Sequence, residues 1–253
     1  MVVALSPLLT AFTVAFPTRV RFSRRRQTAR MADSKDKTEE SSSDAQVPKA
    51  VVSRLSLYLR ELQHLIRDGH ETTSSTQLGK LLGFTDAQVR KDLAYFGQFG
   101  YPGIGYRCSE LIDAIKGILG TNQPWSLAIV GLGNLGRALM GYRGFQQQGF
   151  RIVAALEIDP QKVGKLVDGV PVHHLDDVGR LAKEHNIRLA IIAVPGPAAQ
   201  KVADALVAAG IDGILNFAPV TLNLPKHVQT VGVDLAIELE QLSFAVVNQL
   251  TKP

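Results

Sequence analysis

Three glycines in the pattern G-x-G-x-x-G lie near the middle of the chain, after an apolar run at residues 127–130 and before a helix-compatible stretch at 137–142. In that context the first glycine permits a tight turn, the second lets the backbone approach a pyrophosphate, and the third lets a helix pack close to the sheet. Free N–H groups at the helix start also favour phosphates. The pattern predicts a cofactor-binding loop formed by Gly131, Leu132, Gly133, Asn134, Leu135 and Gly136.

A carboxylate follows this loop at the spacing typical of a ribose-binding acid. A second apolar run at residues 151–156 ends at Glu157, about 20 residues past the last glycine. An acid there binds the ribose 2′-hydroxyl and repels a 2′-phosphate, and residues 158–160, with Asp159 among them, add no cation. We therefore expect NADH and NAD+ rather than the 2′-phosphorylated cofactors. The alternative is a glycine turn followed by a solvated glutamate.

Composition limits the remaining possibilities. The 253 residues are 45% hydrophobic, which is enough for one large or two modest domains, and no apolar run reaches the length of a membrane span. The net charge of +5 is compatible with a polyanionic partner. Cys108 is the single cysteine, so we expect no internal disulfide and no metal site. These features predict a soluble, cytoplasmic protein.

The first 47 residues differ from the rest of the chain. Residues 1–30 contain six arginines and no acid, and residues 32–46 are rich in Ser, Asp, Glu and Lys. A transit peptide, a translation start at Met31 or a basic arm on nucleic acid could each explain this composition. We expect residues 1–47 to be a disordered extension or the product of a wrongly assigned start.

Residues 48–122 have the pattern of a winged helix-turn-helix domain. Apolar spacing predicts helices at 50–67, 77–82 and 86–96, with Ser75 and Thr85 as candidate N-caps of the second and third. Residues 97–106 contain four glycines and three aromatic residues, which suits a tight β-ribbon or wing. A small helical domain with a solvated cationic face is the alternative.

In a DNA-binding domain of this kind, the third helix enters the major groove. Its Gln and Arg side chains then reach base edges, and Lys and Ser side chains contact phosphates. The candidate DNA-binding residues are Ser74, Ser75, Gln88, Arg90, Lys91, Tyr95 and Tyr101.

Residues 123–234 alternate between strand-like and helical segments, which predicts an α/β fold with a Rossmann-type doubly wound parallel sheet. His173 and His174 lie in an expected loop without a spaced acid, so we predict no catalytic residue and no enzyme. Residues 235–249 form an amphipathic helix whose apolar face packs either on its own domain or on a partner subunit. We expect residues 235–253 to be a dimerisation segment.

The combination resembles the Rex family of redox-sensing transcriptional repressors over residues 48–248. The most specific segments are Thr73-Ser74-Ser75, Gln88-Val89-Arg90-Lys91-Asp92-Leu93, Tyr95-Phe96-Gly97, Gly103-Ile104-Gly105-Tyr106, residues 128–136 and residues 213–219, with Leu242-Ser243-Phe244 near the end. The resemblance implies a homodimer that binds an AT-rich palindromic operator in double-stranded DNA and is released when NADH rises relative to NAD+. It also implies a C-terminal helix exchanged between subunits, lying between the partner's winged helix and nucleotide domain.

The resemblance also implies roles for single residues. Glu157 stands where the family more often has Asp, and Pro195 and Asn216 match positions that line the nicotinamide side of the site. Three positions match residues of the family's conformational switch, namely Arg60, Tyr142 and Asp234. In the family, the arginine and the aspartate pair across subunits, and the tyrosine is linked to that pair.

The sequence departs from the family pattern in the wing, where Tyr101-Pro102 stands in place of the usual Arg or Lys before Gly103. Basic wing residues lie in or beside the minor groove, so the change affects the expected operator affinity. Two other functions stay open: a NAD-dependent oxidoreductase, and a nucleotide-binding interaction protein that has lost DNA binding.

Overall fold

The computed structural model describes residues 47–250, with side chains through residue 248. The predictions made for the arginine-rich and linker segments lie outside these described residues. Within residues 47–250, no helix has both the length and the apolar character needed to cross a membrane. The same part of the chain contains no group of three or more His, Cys, Asp or Glu side chains that could hold a metal ion.

The first half of the described chain forms a winged helix-turn-helix. Its elements are α1 (Lys49–Arg67), β1 (Thr72–Thr73), α2 (Ser75–Leu82), α3 (Asp86–Ala94), β2 (Tyr106–Arg107) and α4 (Cys108–Leu119). The apolar face of α1 supplies Leu55, Tyr58 and Leu62 to a core shared with Leu78 and Val89. Because these positions recur at helical spacing in the sequence, burial of one stripe of each helix assembles the domain.

The N-cap of α2 is Ser74, whereas the sequence analysis assigned it to Ser75. Ser74 has extended backbone angles, and its Oγ accepts a hydrogen bond from the Gln77 N–H at 3.0 Å. Ser75 is already helical, so its side chain cannot satisfy the same orphan donor. The predicted cap of α3 is confirmed, since the Thr85 hydroxyl accepts from the Gln88 N–H at 3.1 Å.

The wing is a narrow antiparallel ribbon. Strand β1 pairs with β2, and the tip closes where the Tyr101 N–H donates to the Gly105 carbonyl at 2.7 Å. Pro102 lies inside the turn, where a missing backbone N–H costs no ladder hydrogen bond. The departure from the family pattern is therefore compatible with a closed wing.

A seven-stranded sheet forms the second half. Its elements are β3 (Trp125–Val130), α5 (Asn134–Met140), α6 (Arg143–Gln147), β4 (Phe150–Glu157), β5 (Leu166–Val167), β6 (Val170–His174), α7 (Val178–Glu184), β7 (Leu189–Ile192), α8 (Gly196–Ala208), β8 (Gly213–Asn216), β9 (Gln229–Gly232) and α9 (Leu235–Leu250). The strand order is β5-β6-β4-β3-β7-β8-β9, and every pair is parallel except β5 with β6. Strand order reverses between β3 and β7, which opens a crevice at their carboxyl ends.

His173 and His174 lie in strand β6, so their prediction as loop residues was wrong. They pair with Leu156 and Glu157 of β4 in parallel register. This pairing with a neighbouring strand is a tertiary effect that local polarity does not reveal.

Helix α9 is exposed from its first residue through residue 248, the last whose side chain is described. Large apolar side chains on it, including Leu239 at 65% exposure and Phe244 at 71%, face solvent in the single chain. A soluble monomer rarely exposes so continuous an apolar surface. Packing of this helix on its own domain, one of the two alternatives, is thus not what the fold contains.

Candidate functional site: a dinucleotide crevice and a nucleic-acid interface

The glycine loop closes tightly against the neighbouring strand end. Gly131 has φ +94°, and a Cβ there would lie 2.6 Å from the carbonyl oxygen of Ala193. A Cβ on Gly136 would lie 1.9 Å from the Gly131 carbonyl oxygen. Backbone hydrogen bonds from Gly131 to Leu156 and from Ala193 to Val130 hold this arrangement. No other residue type fits these two glycine positions.

The middle of the glycine loop is exposed. Gly133, Asn134 and Leu135 are exposed, whereas Leu132 is buried. A Cβ on Gly133 would meet no atom within 4 Å, so the space beside this backbone is open. The loop is therefore a cradle that fits a pyrophosphate at the start of α5.

Glu157 lies at the end of β4, buried behind the loop. Its carboxylate accepts hydrogen bonds from the backbone N–H groups of Leu132 at 3.0 Å, Ile158 at 2.8 Å and Asp159 at 3.3 Å. Burial opposes ionisation, but these donors together with Lys162 outweigh it and hold the pKa of Glu157 below its ordinary value. The predicted ribose acid is thus ionised and fixed in place, and the Leu132 N–H is committed to it.

Lys162 is a part of this site that the sequence analysis did not identify. Its Nζ lies 3.2 Å from Oε2 of Glu157 and 3.7 Å from Oδ2 of Asp159. The expectation that no cation accompanies the acid considered only residues 158–160. The turn that follows them places Lys162 beside the carboxylate. A lysine shortly after the acid was the available signal.

The carboxyl ends of β7 and β8 lie at the same edge of the sheet as the glycine loop. Pro195 precedes α8, and a Cβ on the adjacent Gly196 would lie 3.1 Å from Val220. The Asn216 side chain is buried; its amide donates to the carbonyls of Ala218 and Val220 and accepts from the Ala218 N–H. Asn216 therefore shapes the loop that follows β8.

On α3, the predicted DNA-binding side chains separate into two groups. Arg90, Lys91 and Tyr95 are exposed, and Val89 with Leu93 pack inward as expected. Gln88 is instead turned toward Asp92, because its side-chain amide donates a hydrogen bond to Asp92 Oδ1 at 2.7 Å.

Asp92 is the centre of a buried polar cluster that the sequence analysis missed. Its carboxylate accepts two hydrogen bonds from Arg54, one from the Tyr58 hydroxyl at 2.7 Å, and one from Gln88. Desolvation opposes its charge, yet these donors hold the pKa of Asp92 below its ordinary value, while burial raises the pKa of Tyr58. The cluster fixes α3 to α1.

A groove of about 490 Å³ lies between α3, the start of α2 and the wing. Arg90 spans it, donating to Ser75 Oγ at 3.2 Å and to Asp86 Oδ2 at 2.7 Å. Ser74 and Tyr101 line the same groove, and the Tyr101 hydroxyl donates to Glu110 at 3.0 Å. The structure thus brings four of the seven predicted DNA-binding residues to one concave face.

Two of the three predicted switch residues share another groove. Arg60 of α1 and Tyr142, which precedes α6, line a cleft of about 640 Å³, where Gln148 donates to Gln63 at 3.1 Å. Asp234 is not among the residues lining that cleft; it caps α9 by accepting from the Ala236 N–H at 2.9 Å. Among the described residues, Arg60 has no acidic partner within 4 Å.

Family models match both halves of the chain. One described as "CoA binding domain" matches residues 122–220, and one described as "Putative DNA-binding protein N-terminus" matches residues 46–94.

Several relatives are similar over nearly the whole described chain. The redox-sensing transcriptional repressor Rex of Syntrophobacter fumaroxidans is 48% identical over 201 residues, spanning 79% of this chain and 96% of the relative. The Rex protein of Streptomyces coelicolor is 45% identical over 198 residues, spanning 78% and 77% respectively.

Solved structures show the same similarity. A crystal structure of RSP in complex with β-NAD+ and operator DNA has a TM-score of 0.77 and 34% identity, covering 81% of this chain and 95% of that one. A structure of RSP with β-NADH has a TM-score of 0.73 and 32% identity, covering 81% and 97%.

Proposed function

Because the chain belongs to the Rex family of redox-sensing transcriptional repressors, we propose that it binds operator DNA as a homodimer and leaves it when NADH rises relative to NAD+. One observation carries the proposal: a winged helix with an exposed cationic recognition helix and a dinucleotide crevice occur in the same chain. The domains we assign are residues 48–122 for DNA, 123–234 for nucleotide and 235–253 for dimerisation.

On the DNA side, Ser74, Ser75 and Arg90 form a phosphate-binding set at the start of α2. The hydrogen bond between Arg90 and Ser75 places the guanidinium beside the helix N-terminus, where phosphate oxygens are favoured. Lys91 and Tyr95 extend from the exposed face of α3 toward the bases, and an AT-rich palindrome fits two such helices.

On the nucleotide side, the Gly131–Gly136 loop holds the pyrophosphate and Glu157 holds the adenine ribose. Pro195 and the loop shaped by Asn216 enclose the nicotinamide, whose reduced ring is uncharged and whose oxidised ring is cationic. A ligand shifts a conformational equilibrium only if it binds the two conformations of the protein with different affinities. The difference in charge between the two rings gives NADH and NAD+ different affinities for the enclosed site. We expect NADH to bind more tightly than NADPH in calorimetric titrations.

The dimer follows from α9. Its exposed apolar face needs a partner, and a second copy of the chain offers the cleft that contains Arg60 and Tyr142. In such a dimer Asp234 of one subunit approaches Arg60 of the other, which gives the latch suggested by the resemblance.

An oxidoreductase is less well supported. The described chain has a DNA-binding domain in place of a substrate domain, and no histidine near the crevice pairs with a buried acid. We assign a regulatory rather than a catalytic role, and a cytoplasmic location. The interaction-protein alternative rests on the altered wing alone.

The experiment is a fluorescence-anisotropy titration of the full chain on AT-rich palindromic DNA, repeated with NAD+ and with increasing NADH. We expect tight binding with NAD+ and loss of binding as NADH rises. Binding that ignores NADH would disprove redox sensing, and absence of DNA binding would favour the interaction protein. Steady NADH consumption with an added carbonyl substrate would favour the oxidoreductase.

A further inference from the structure

The hydrogen-bonding capacity of Glu157 is already filled within the chain. A carboxylate has about four lone-pair positions. Oε2 accepts from the Leu132 N–H and from Lys162 Nζ, and Oε1 accepts from the N–H groups of Ile158 and Asp159. A ribose hydroxyl can therefore reach Glu157 only if one donor withdraws.

Lys162 is the donor that can withdraw. The other three are backbone amides fixed by the glycine loop and by the turn after β4. That turn is closed by Asp159, which accepts from the Gln161 and Lys162 N–H groups. The Lys162 side chain is 42% exposed, so its ammonium can leave Glu157 and remain beside the ribose.

We propose that Lys162 is a specificity-determining residue of the adenine-ribose subsite, which competes with the ribose for Glu157 and offsets the repulsion of a 2′-phosphate. The proposal rests on the proposed nucleotide binding. In physical terms, one cation acts on the two ligand classes in opposite directions. It hinders a 2′-hydroxyl, which needs the carboxylate, and it assists a 2′-phosphate, which needs a positive charge.

Removing the lysine should therefore sharpen discrimination. In Lys162→Met, ADP-ribose should bind as tightly as before or more tightly, and 2′-phospho-ADP-ribose should bind more weakly. The ratio of their dissociation constants should rise roughly tenfold or more, the effect expected for loss of one charge-assisted hydrogen bond. Both probes share a pyrophosphate, so its contribution cancels in the ratio.

Two variants control the measurement. Lys165→Met removes the same charge three residues later; Lys165 is exposed and forms no ion pair in the described part of the chain, so the ratio should not change. Lys162→Arg keeps a cation and should keep a ratio near that of the parent. Calorimetry on the full chain measures all three variants.

The outcomes separate this inference from the proposed function. A rise in the ratio confined to Lys162→Met supports it. An unchanged ratio, or an equal rise in Lys165→Met, overturns it. Neither probe contains nicotinamide, so ADP-ribose binding without release of DNA by NADH refutes redox sensing alone. A parent protein that binds neither probe refutes both.

Discussion

At the scale of single residues, Asp92 shows how a buried charge is made tolerable. Its side chain has no exposure, yet every hydrogen bond it accepts comes from α1 or from its own helix. A buried ion pair contributes little net free energy compared with an apolar pair, but removing one partner leaves the other unsatisfied. Asp92 therefore acts mainly to fix the direction in which α3 points.

We expect Asp92→Asn to lower the free energy of unfolding by about 3–5 kcal/mol, because Arg54 keeps its charge and loses its counter-ion. Chemical denaturation followed by circular dichroism measures the change. Asp86→Asn is the matched control, since Asp86 and Arg90 form a solvent-exposed ion pair whose loss should change the free energy of unfolding little. Equal losses in the two variants would contradict the role given to the cluster.

The same carboxyl predicts a pH dependence. Its pKa is depressed in the folded state, so its contribution is complete above the ordinary pKa of Asp, about 3.9, and is lost as pH falls through the folded value. Asp92→Asn should remove this part of the acid destabilisation. The difference in the free energy of unfolding between parent and variant should therefore shrink as the pH falls below about 4.

At the scale of elements, the grooves define what each helix can touch. Arg90 is turned toward the start of α2, whereas Lys91 has no acidic partner within 4 Å among the described residues. The first arrangement suits a phosphate, which carries little sequence information.

We therefore expect Arg90→Ala and Lys91→Ala each to reduce the slope of log K against log salt by about one unit if each loses one phosphate contact. If Lys91 instead reads a base, its variant should keep the slope and lose about 1–3 kcal/mol of discrimination at one position. Anisotropy titrations at several salt concentrations distinguish these results. Lys80→Ala, outside α3 on the exposed face of α2, is the control. Wild-type binding in both α3 variants would refute the assignment of the recognition helix.

The sequence predicted best those elements that are determined by neighbouring residues in the chain. Helix α1 was predicted to within one residue at each end, because Leu55, Leu59 and Leu62 repeat at helical spacing. The glycine loop was predicted correctly because its tight backbone conformation requires glycine at fixed positions. Strand β6 was missed, since only pairing with β4 makes it a strand.

The candidate site was only partly predictable for the same reason. Gln88 has a residue type suited to reading bases, but its partner Asp92 is an acid that local pattern gives no reason to bury. Lys162 meets Glu157 through the turn that follows β4, and no spacing rule used for the cofactor loop includes it.

At the scale of the whole molecule, α9 is the feature that a single chain cannot explain. Deleting residues from 239 onward should convert a dimer to a monomer or an aggregate, because the remaining helix is too short to bury its apolar face elsewhere. Light scattering on the purified protein measures the mass. Lys226→Ala, in the loop before β9, is a control that should stay dimeric. A well-behaved dimer after the deletion would exclude this interface.

The switch also belongs to this scale. Two recognition helices must lie roughly 34–36 Å apart, or a multiple of that, to read successive grooves. Asp234→Ala should still bind NADH but should respond to it less, because the latch to Arg60 that we propose would form in only one of the two states. Allosteric coupling of about 1–3 kcal/mol would change DNA affinity roughly 5–150-fold, and DNA must weaken NADH binding by the same factor.

Measurement of operator affinity across NADH concentrations, at fixed NAD+, tests the switch in parent and variant. Asp212→Ala is a matched control, since its carboxylate pairs with Arg188 at the far end of the sheet. A full response in Asp234→Ala would remove the latch from the mechanism, and loss of NADH binding would show that the substitution damaged the crevice instead.

The exposed surface of α9 has a genetic consequence. Because the proposed dimerisation helix lies outside the domain proposed to bind DNA, a chain whose α3 is inactivated should still assemble with an intact one. When a cell makes both in equal amounts, fully intact pairs are the minority, and each mixed pair holds one working recognition helix for a palindrome that needs two. Inactivating changes in α3 should therefore be dominant over the normal allele, and the same changes in a chain truncated before α9 should be recessive.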